Sequence, residues 1–124
     1  VIFTGFQNNA LDYLAAFDTF ILASVSEGLP RVVLEAMLVN TAVIGSNVVG
    51  TSELIQHGET GLLFDYGNTQ QLSQHLSALW QDTALRQRLI AAAAARVRER
   101  YSIEHYVSGV ENILENVMER KKHV

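Results

Sequence analysis

Apolar residues in the first half of the chain come in short unbroken runs of strand length. Four such runs occupy residues 1–3, 19–23, 41–44 and 62–64, and strands without alternation are typical of sheets that are covered on both faces. Between these runs, residues 11–17, 30–39 and 52–56 favour helices, with 30–39 apolar nearly all round and therefore buried. The regular alternation predicts an α/β fold, with a Rossmann-like parallel sheet of about four strands flanked by helices.

The last third of the chain has the residue spacing of helices only. Thr69 is the predicted N-cap of a helix that reaches about Trp80, and Asp82 or Thr83 can cap a second helix that runs to about Arg100. Ser102 is predicted to cap a last helix, which carries an apolar stripe on one side. The stripe consists of Tyr106, Val107, Val110, Ile113, Leu114 and Val117. Such a stripe requires a surface to cover.

Two carboxylates, Glu27 and Glu35, lie on either side of Gly28 and the chain's single proline, Pro30. Proline has no N–H to donate and favours the first position of a helix, which places Glu27 in a loop and Glu35 within the following helix. Both can then converge on a cleft at the carboxyl end of a strand, where parallel sheets bind ligands. The helix N-terminus suits a diphosphate, and carboxylates accept hydrogen bonds from sugar hydroxyls. The pattern therefore indicates a sugar-nucleotide site, while Arg31 leaves an intrahelical ion pair with Glu35 as the alternative.

A second glycine-containing loop, residues 45–52, has the glycine spacing of a P-loop. Thr51 stands where the phosphate-binding lysine of a P-loop is required, and this disfavours an NTPase. What remains is a strand, a turn and a helix start that Thr51 or Ser52 can cap. Two interpretations stay open for this loop: a second contact to phosphate or sugar, or a plain connection.

Composition narrows the classes of partner and cofactor. The 124 residues, 48% of them hydrophobic, suffice for one domain with a core, and a net charge of −4 disfavours nucleic acid as a partner. The absence of cysteine excludes disulfides and thiolate zinc sites, and the four histidines have no ligand spacing and are expected to be solvated. No run approaches the roughly 20 apolar residues that cross a bilayer. We therefore expect a cytoplasmic protein with at most peripheral membrane contact. The basic segment 120–123 is short, and a frayed helix end is favoured there over contact with an anionic membrane surface.

Taken together, these motifs resemble the second half of the C-terminal, donor-binding domain of a family 4 retaining glycosyltransferase with the GT-B fold. The resemblance is carried by residues 1–5 and 16–24, the Glu-x7-Glu motif from Glu27 to Glu35, and residues 42–46, 50–53 and 57–63. It implies that residues 1–124 are a partial nucleotide-sugar-binding domain, a truncated GT-B C-terminal domain. The family's first strands, with the Arg and Lys that hold the diphosphate, and its acceptor domain would precede Val1. A start at Val rather than Met agrees with a fragment.

The resemblance implies transfer of a hexosyl unit from a nucleotide sugar to a glycan or lipid-linked acceptor, with retention of configuration. It implies neither a metal nor a cofactor beyond the nucleotide-sugar substrate. Carried over by position, Glu27 is the implied catalytic residue, in contact with the donor sugar near the reacting centre, and Glu35 holds the ribose hydroxyls. The other implied donor-binding residues are Gly28, Leu29, Pro30, Gly50, Thr51 and Ser52. We expect the chain to be inactive without the missing N-terminal part.

The sequence departs from the family pattern at two turns. Asn40-Thr41-Ala42 stands where Gly-x-Pro is usual, and Val49-Gly50 replaces a common Gly-Gly; both changes affect the stiffness of a turn more than its chemistry. The alternative from another functional class is a non-catalytic α/β module. Such a module would associate, for example as a homodimer, through an exposed sheet edge and the C-terminal helix.

Overall fold

Three parallel strands form the sheet in this computed structural model, which describes residues 1–122 except the side chains of Tyr106 and residues 120–122. They are β1 (Thr19–Leu22), β2 (Ala42–Ser46) and β3 (Leu62–Phe64), in that spatial order. β2 is central, with Phe20 beside Val43 on one side and Leu63 beside Gly45 on the other. Every residue of β2 is buried. Its unbroken apolar sequence is thus that of a strand covered on both faces.

Six helices within residues 1–122 surround the sheet and complete two core layers. They are α1 (Ala10–Ala16), α2 (Arg31–Leu38), α3 (Thr51–Leu54), α4 (Thr69–Gln81), α5 (Thr83–Arg100) and α6 (Ile103–Lys122). Successive side chains of a strand point to opposite faces. Val43 therefore belongs to a core with Met37 of α2 and Val97 of α5, whereas Ile44 packs in a second core with Leu79 and Leu89. The predicted α/β fold class, with a helical C-terminal part, is confirmed.

The strand predicted at residues 1–3 is wrong. Val1, Ile2 and Phe3 have exposed fractions of 114%, 89% and 92%, and none of them belongs to the sheet. A strand requires a partner for its N–H and C=O groups, and a short apolar run carries no information about that partner. In the part of the chain that the structure describes, the sheet accordingly has three strands instead of about four.

The helix after the proline differs from the prediction in two respects. Pro30 is the N-cap of α2, with φ −73° and ψ 93°, instead of its first helical residue. The helix is also not buried all round: Val33, Ala36 and Met37 are buried, but Leu38 is 43% exposed. α2 thus carries more apolar residues than the sheet and α5 can cover.

The caps of α4 and α5 follow a common rule, although only one was predicted correctly. Asn68, not Thr69, caps α4, since the Asn68 Oδ1 accepts a hydrogen bond from the Gln71 N–H at 3.0 Å. Asp82 caps α5 as predicted, with its Oδ1 accepting from the Leu85 N–H at 2.9 Å. A side-chain oxygen three positions before the bonded amide defines each cap.

The last helix, α6, begins as predicted but leaves its stripe uncovered. The Ser102 Oγ accepts from the His105 N–H at 3.2 Å. Within the stripe, Val107, Val110, Ile113, Leu114 and Val117 have exposed fractions of 39–64%. The side chains of Tyr106 and of the basic segment 120–123 lie outside the described residues. The surface that the stripe was expected to cover is therefore not present among the described residues.

The outer side of β3 is occupied by two histidine rings. The Leu63 N–H donates to the His57 Nδ1 at 2.9 Å, and the Leu63 carbonyl oxygen lies 2.9 Å from the His75 Nε2. The centroids of the two rings are 5.5 Å apart. These histidines, which the sequence analysis expected to be solvated, thus bond to the backbone of an edge strand.

Candidate functional site

The two loops singled out in the sequence meet at the carboxyl ends of the strands. One follows β1 and spans residues 23–30, and the other follows β2 and spans residues 47–50. Gly50 has φ +88°, and a Cβ on Gly50 would lie 2.5 Å from the Glu27 carbonyl oxygen and closer still to that of Gly28. Only glycine combines this φ with so close a backbone approach. The structure therefore brings the predicted residues Glu27, Gly28 and Gly50 together.

The Glu27 carboxylate is held by a hydroxyl of its own loop. The Ser24 Oγ donates to the Glu27 Oε1 at 2.5 Å, and the Ser24 carbonyl oxygen accepts from the Ser46 Oγ at 2.6 Å. Ser46, the last residue of β2, is fully buried. The sequence analysis assigned no role to either serine. The available signal was a hydroxyl three positions before Glu27, a spacing that suits a local side-chain hydrogen bond.

Gly28 and Leu29 follow Glu27 in the loop that leads to α2. Both residues are exposed, whereas Pro30 is buried and fixes the start of α2. Among the described residues, the N–H groups of Gly28 and Leu29 donate to no protein acceptor. Both groups are therefore available to an anionic or hydroxyl-bearing ligand.

Glu35 lies in the second turn of α2 and is half-buried, while Arg31 is exposed. The side-chain hydrogen bonds of residues 1–122 include none between Glu35 and Arg31. The alternative in which Glu35 serves only an intrahelical pair gains no support from this geometry. Its carboxylate remains an acceptor on the helix that starts at the candidate site.

Thr51 and Ser52 differ sharply in what they can offer a ligand. Thr51 is fully buried, its Oγ1 has no hydrogen-bond partner among the described residues, and its methyl group occupies the space beside Gly45. With an exposed fraction of 0%, Thr51 offers a ligand neither its side chain nor its backbone in this structure. Ser52 is exposed, but its N–H donates to the Val48 carbonyl at 3.0 Å, which leaves its hydroxyl as the available group.

A cavity at the end of β3 was not anticipated from the sequence. It has a volume of about 270 Å³ and is lined by residues that include Ala23, Phe64, Tyr66 and Leu72. Tyr66 is 56% exposed, and the sequence analysis assigned it no role. Ala23 immediately follows β1, so the cavity lies at the same edge of the sheet as the two loops.

Neither a metal cluster nor a membrane span is found in the part of the chain that the structure describes. No group of three or more His, Asp or Glu side chains there is arranged to hold a metal ion. None of the described helices combines the length and the apolar character that crossing a membrane requires.

Known proteins with similar sequences are glycosyltransferases. N-acetyl-alpha-D-glucosaminyl L-malate synthase of Bacillus anthracis is 35% identical over 123 residues, which cover 99% of this chain and 32% of that protein. The lipopolysaccharide core biosynthesis glycosyltransferase LpsD of Rhizobium meliloti is 35% identical over 102 residues, or 82% of this chain and 30% of that protein. The chain thus spans about a third of the length of these relatives.

The structural comparison agrees with the sequence comparison. HepE of Anabaena, solved in complex with UDP, matches 84% of this chain and 29% of its own with a TM-score of 0.79 and 27% identity. The same protein has been solved with UDP-glucose. This likeness supports the GT-B assignment of the fold.

The family model described as glycosyl transferases group 1 matches residues 1–96, which include both candidate loops. The chain therefore belongs to the glycosyl transferases group 1 family.

Proposed function

We propose that this chain is part of the nucleotide-sugar-binding domain of a retaining glycosyltransferase, and that the donor binds where the two loops meet. The observation that carries the proposal is the backbone contact of Gly50 with Glu27 and Gly28. It places an acceptor carboxylate and two unused N–H groups side by side at the carboxyl edge of a parallel sheet. The complexes of the similar HepE with UDP and UDP-glucose favour a nucleotide sugar as the donor class.

Within this site, Glu27 contacts the donor sugar near the reacting carbon. The N–H groups of Gly28 and Leu29 donate to sugar or diphosphate oxygens, and buried Pro30 fixes the position of both groups. Donors aimed at a leaving diphosphate stabilise the charge that develops on it, and this is the main contribution a transferase of this kind can make. These roles are the ones that the family resemblance implies, and the exposure of Gly28 and Leu29 supports them.

The remaining contacts come from α2 and the second loop. Glu35 accepts hydrogen bonds from the ribose hydroxyls, because an ionised carboxylate has acceptors only. Gly50 and Thr51 are both buried, so in the proposed site they set the position of the second loop beside Glu27. Ser52 contributes its exposed hydroxyl.

The proposed reaction is transfer of a hexosyl unit to a glycan or lipid-linked acceptor with retention of configuration, without a metal. The names of the two relatives refer to different products, an L-malate conjugate and the lipopolysaccharide core. Because the chain spans about a third of their length, we expect it to show no turnover alone. Glycosyl transfer by the purified 124-residue chain would contradict that expectation.

Nuclear magnetic resonance titration of the chain with UDP-glucose, followed by GDP and ADP sugars, tests the proposal. We expect amide shifts at residues 27–35 and 50–52, and their loss in Glu27→Gln. Glu59→Gln is the matched control, because Glu59 is an exposed acid in the turn before β3. Shifts confined to other segments, or no shifts at millimolar nucleotide sugar, would overturn the proposed donor site.

A second candidate function is association of two copies through α6, which the uncovered apolar stripe favours. Ile113 is 64% exposed and Leu114 is 56% exposed, and a stripe of that kind is stabilised by packing on a partner surface. Light scattering should then give the mass of a dimer, which Leu114→Lys reduces to that of a monomer. A monomer at every concentration would exclude this candidate.

A further inference from the structure

Two serines link the central strand of the sheet to the carboxylate of Glu27. Ser46 is the last residue of β2, is fully buried and donates to the Ser24 carbonyl at 2.6 Å. Ser24 in turn donates its hydroxyl to the Glu27 Oε1 at 2.5 Å. The two bonds span 22 and three positions of the sequence, so one is a tertiary contact and the other is local.

We infer that Ser24 and Ser46 are positioning residues that hold the Glu27 carboxylate in a single orientation toward the donor. The inference rests on the proposed function, in which Glu27 contacts the donor sugar. The Ser24 hydroxyl engages one carboxylate oxygen, Oε1, which leaves Oε2 to accept a hydrogen bond from a sugar hydroxyl. Ser46 acts one step further away, since it fixes the peptide that carries Ser24.

The two hydrogen bonds favour donor binding because they order the Glu27 side chain in advance. A glutamate side chain that is free in solution loses rotamer entropy when it is ordered. A charge-assisted O–H···O⁻ bond is roughly twice as strong as a neutral one, and it orders the side chain before the ligand arrives. Binding then no longer includes that ordering cost.

The opposite side of the same loop is fixed independently. Gly50 packs against the carbonyl groups of Glu27 and Gly28, so the backbone at Glu27 is restrained from the second loop. With the backbone restrained there, the remaining freedom of Glu27 lies in its side chain, where Ser24 acts. A purely structural role of the Ser24 hydroxyl would stabilise the loop without changing the affinity for a sugar.

Four variants of the 124-residue chain separate these roles: Ser24→Ala, Ser24→Thr, Ser46→Ala and Ser73→Ala. Ser24→Thr retains the hydroxyl, and Ser73 is an exposed serine of α4 that serves as the matched control. The first readout needs no ligand: side-chain couplings and the carboxyl ¹³C resonance of Glu27 report whether it occupies one rotamer. The second readout is the Kd for UDP-glucose.

We expect Ser24→Ala to average the Glu27 rotamers and to weaken UDP-glucose binding about tenfold, because binding must then order the Glu27 side chain. Ser46→Ala should weaken binding about threefold, because it loosens the peptide that carries Ser24 but retains the Ser24 hydroxyl. Ser24→Thr and Ser73→Ala should leave both readouts close to those of the parent chain. A single Glu27 rotamer in Ser24→Ala, with affinity equal to that of Ser73→Ala, would overturn the inference.

The two readouts also separate failure of the inference from failure of the proposed function. If the parent chain binds no nucleotide sugar, the donor site is wrong, but the ligand-free rotamer measurement still decides whether Ser24 orders Glu27. If Ser24→Ala does not fold, Ser24→Cys is the second variant, because it retains a side chain of similar shape and replaces the hydroxyl by a weak S–H donor. Rotamer averaging of Glu27 in Ser24→Cys would then support the inference, and a single rotamer there would contradict it.

Discussion

Replacing Gly50 by alanine tests whether the two site loops are in backbone contact. Gly50 and Gly58 have similar left-handed φ values, +88° and +78°, but a Cβ on Gly58 would meet no atom within 4 Å. Gly58→Ala should therefore cost only the left-handed conformation, about 1–2 kcal/mol of unfolding free energy. Gly50→Ala adds overlap with the carbonyl groups of Glu27 and Gly28, and overpacking of this kind typically costs about 1–3 kcal/mol more.

Urea denaturation of the parent chain and the two alanine variants measures the difference directly. We expect Gly50→Ala to lose about 1–3 kcal/mol more than Gly58→Ala, because the second variant carries the strain without the overlap. Under the proposed function, Gly50→Ala also separates the loops and weakens UDP-glucose binding, while Gly58→Ala leaves the Kd unchanged.

Equal unfolding free energies for the two variants would refute the reasoning, since the loops would then not be in the described contact. A loss of stability in Gly50→Ala with unaltered UDP-glucose affinity would have a different meaning. The contact would be correct, but the donor would not bind at the junction of the loops.

Four further variants test individual polar groups by denaturation or hydrogen exchange. Thr51→Val should raise the unfolding free energy by about 1 kcal/mol, because the buried hydroxyl has no partner among the described residues; a loss of stability would reveal an acceptor for it. Asn68→Ala should lower the unfolding free energy by about 1 kcal/mol through loss of the α4 cap. Thr69→Ala should change it by less than about 0.5 kcal/mol. Equal losses for the two variants would contradict the cap assignment. His57→Ala removes the acceptor of the Leu63 N–H, so exchange of that amide should accelerate several-fold, and an unchanged rate would exclude the bond.

Local chemistry made much of the fold predictable. The apolar run of β2 was recognisable because both faces of the strand are buried, and the start of α5 because Asp82 caps it. Residues 1–3 have the same apolar character, yet they form no strand, because pairing depends on a distant partner that a short run cannot specify. Burial of α2 was overestimated for a related reason: composition does not reveal how much surface is available to cover a helix.

The approach of the two site loops was predictable from the order of strands and helices, since both follow parallel strands. The contacts within the site were not. Whether the Ser46 hydroxyl reaches Ser24 depends on the register of β1 and β2, which the sequence does not state. The burial of Thr51 likewise depends on the space left beside Gly45. The roles of Glu27 and Glu35 toward a donor stay predictions until ligand binding is measured.

The two histidines bonded to β3 favour β1 over β3 as the place where an additional strand pairs with the sheet. A strand arriving at the outer side of β3 would have to displace both His57 and His75 from Leu63 before it could pair there. At the other end, β1 has no neighbour beyond it among the described residues. An added strand, whether from an engineered fusion or from another molecule, is therefore expected to pair with β1. The outer side of β3 is expected to add no strand while both histidines are bonded to it.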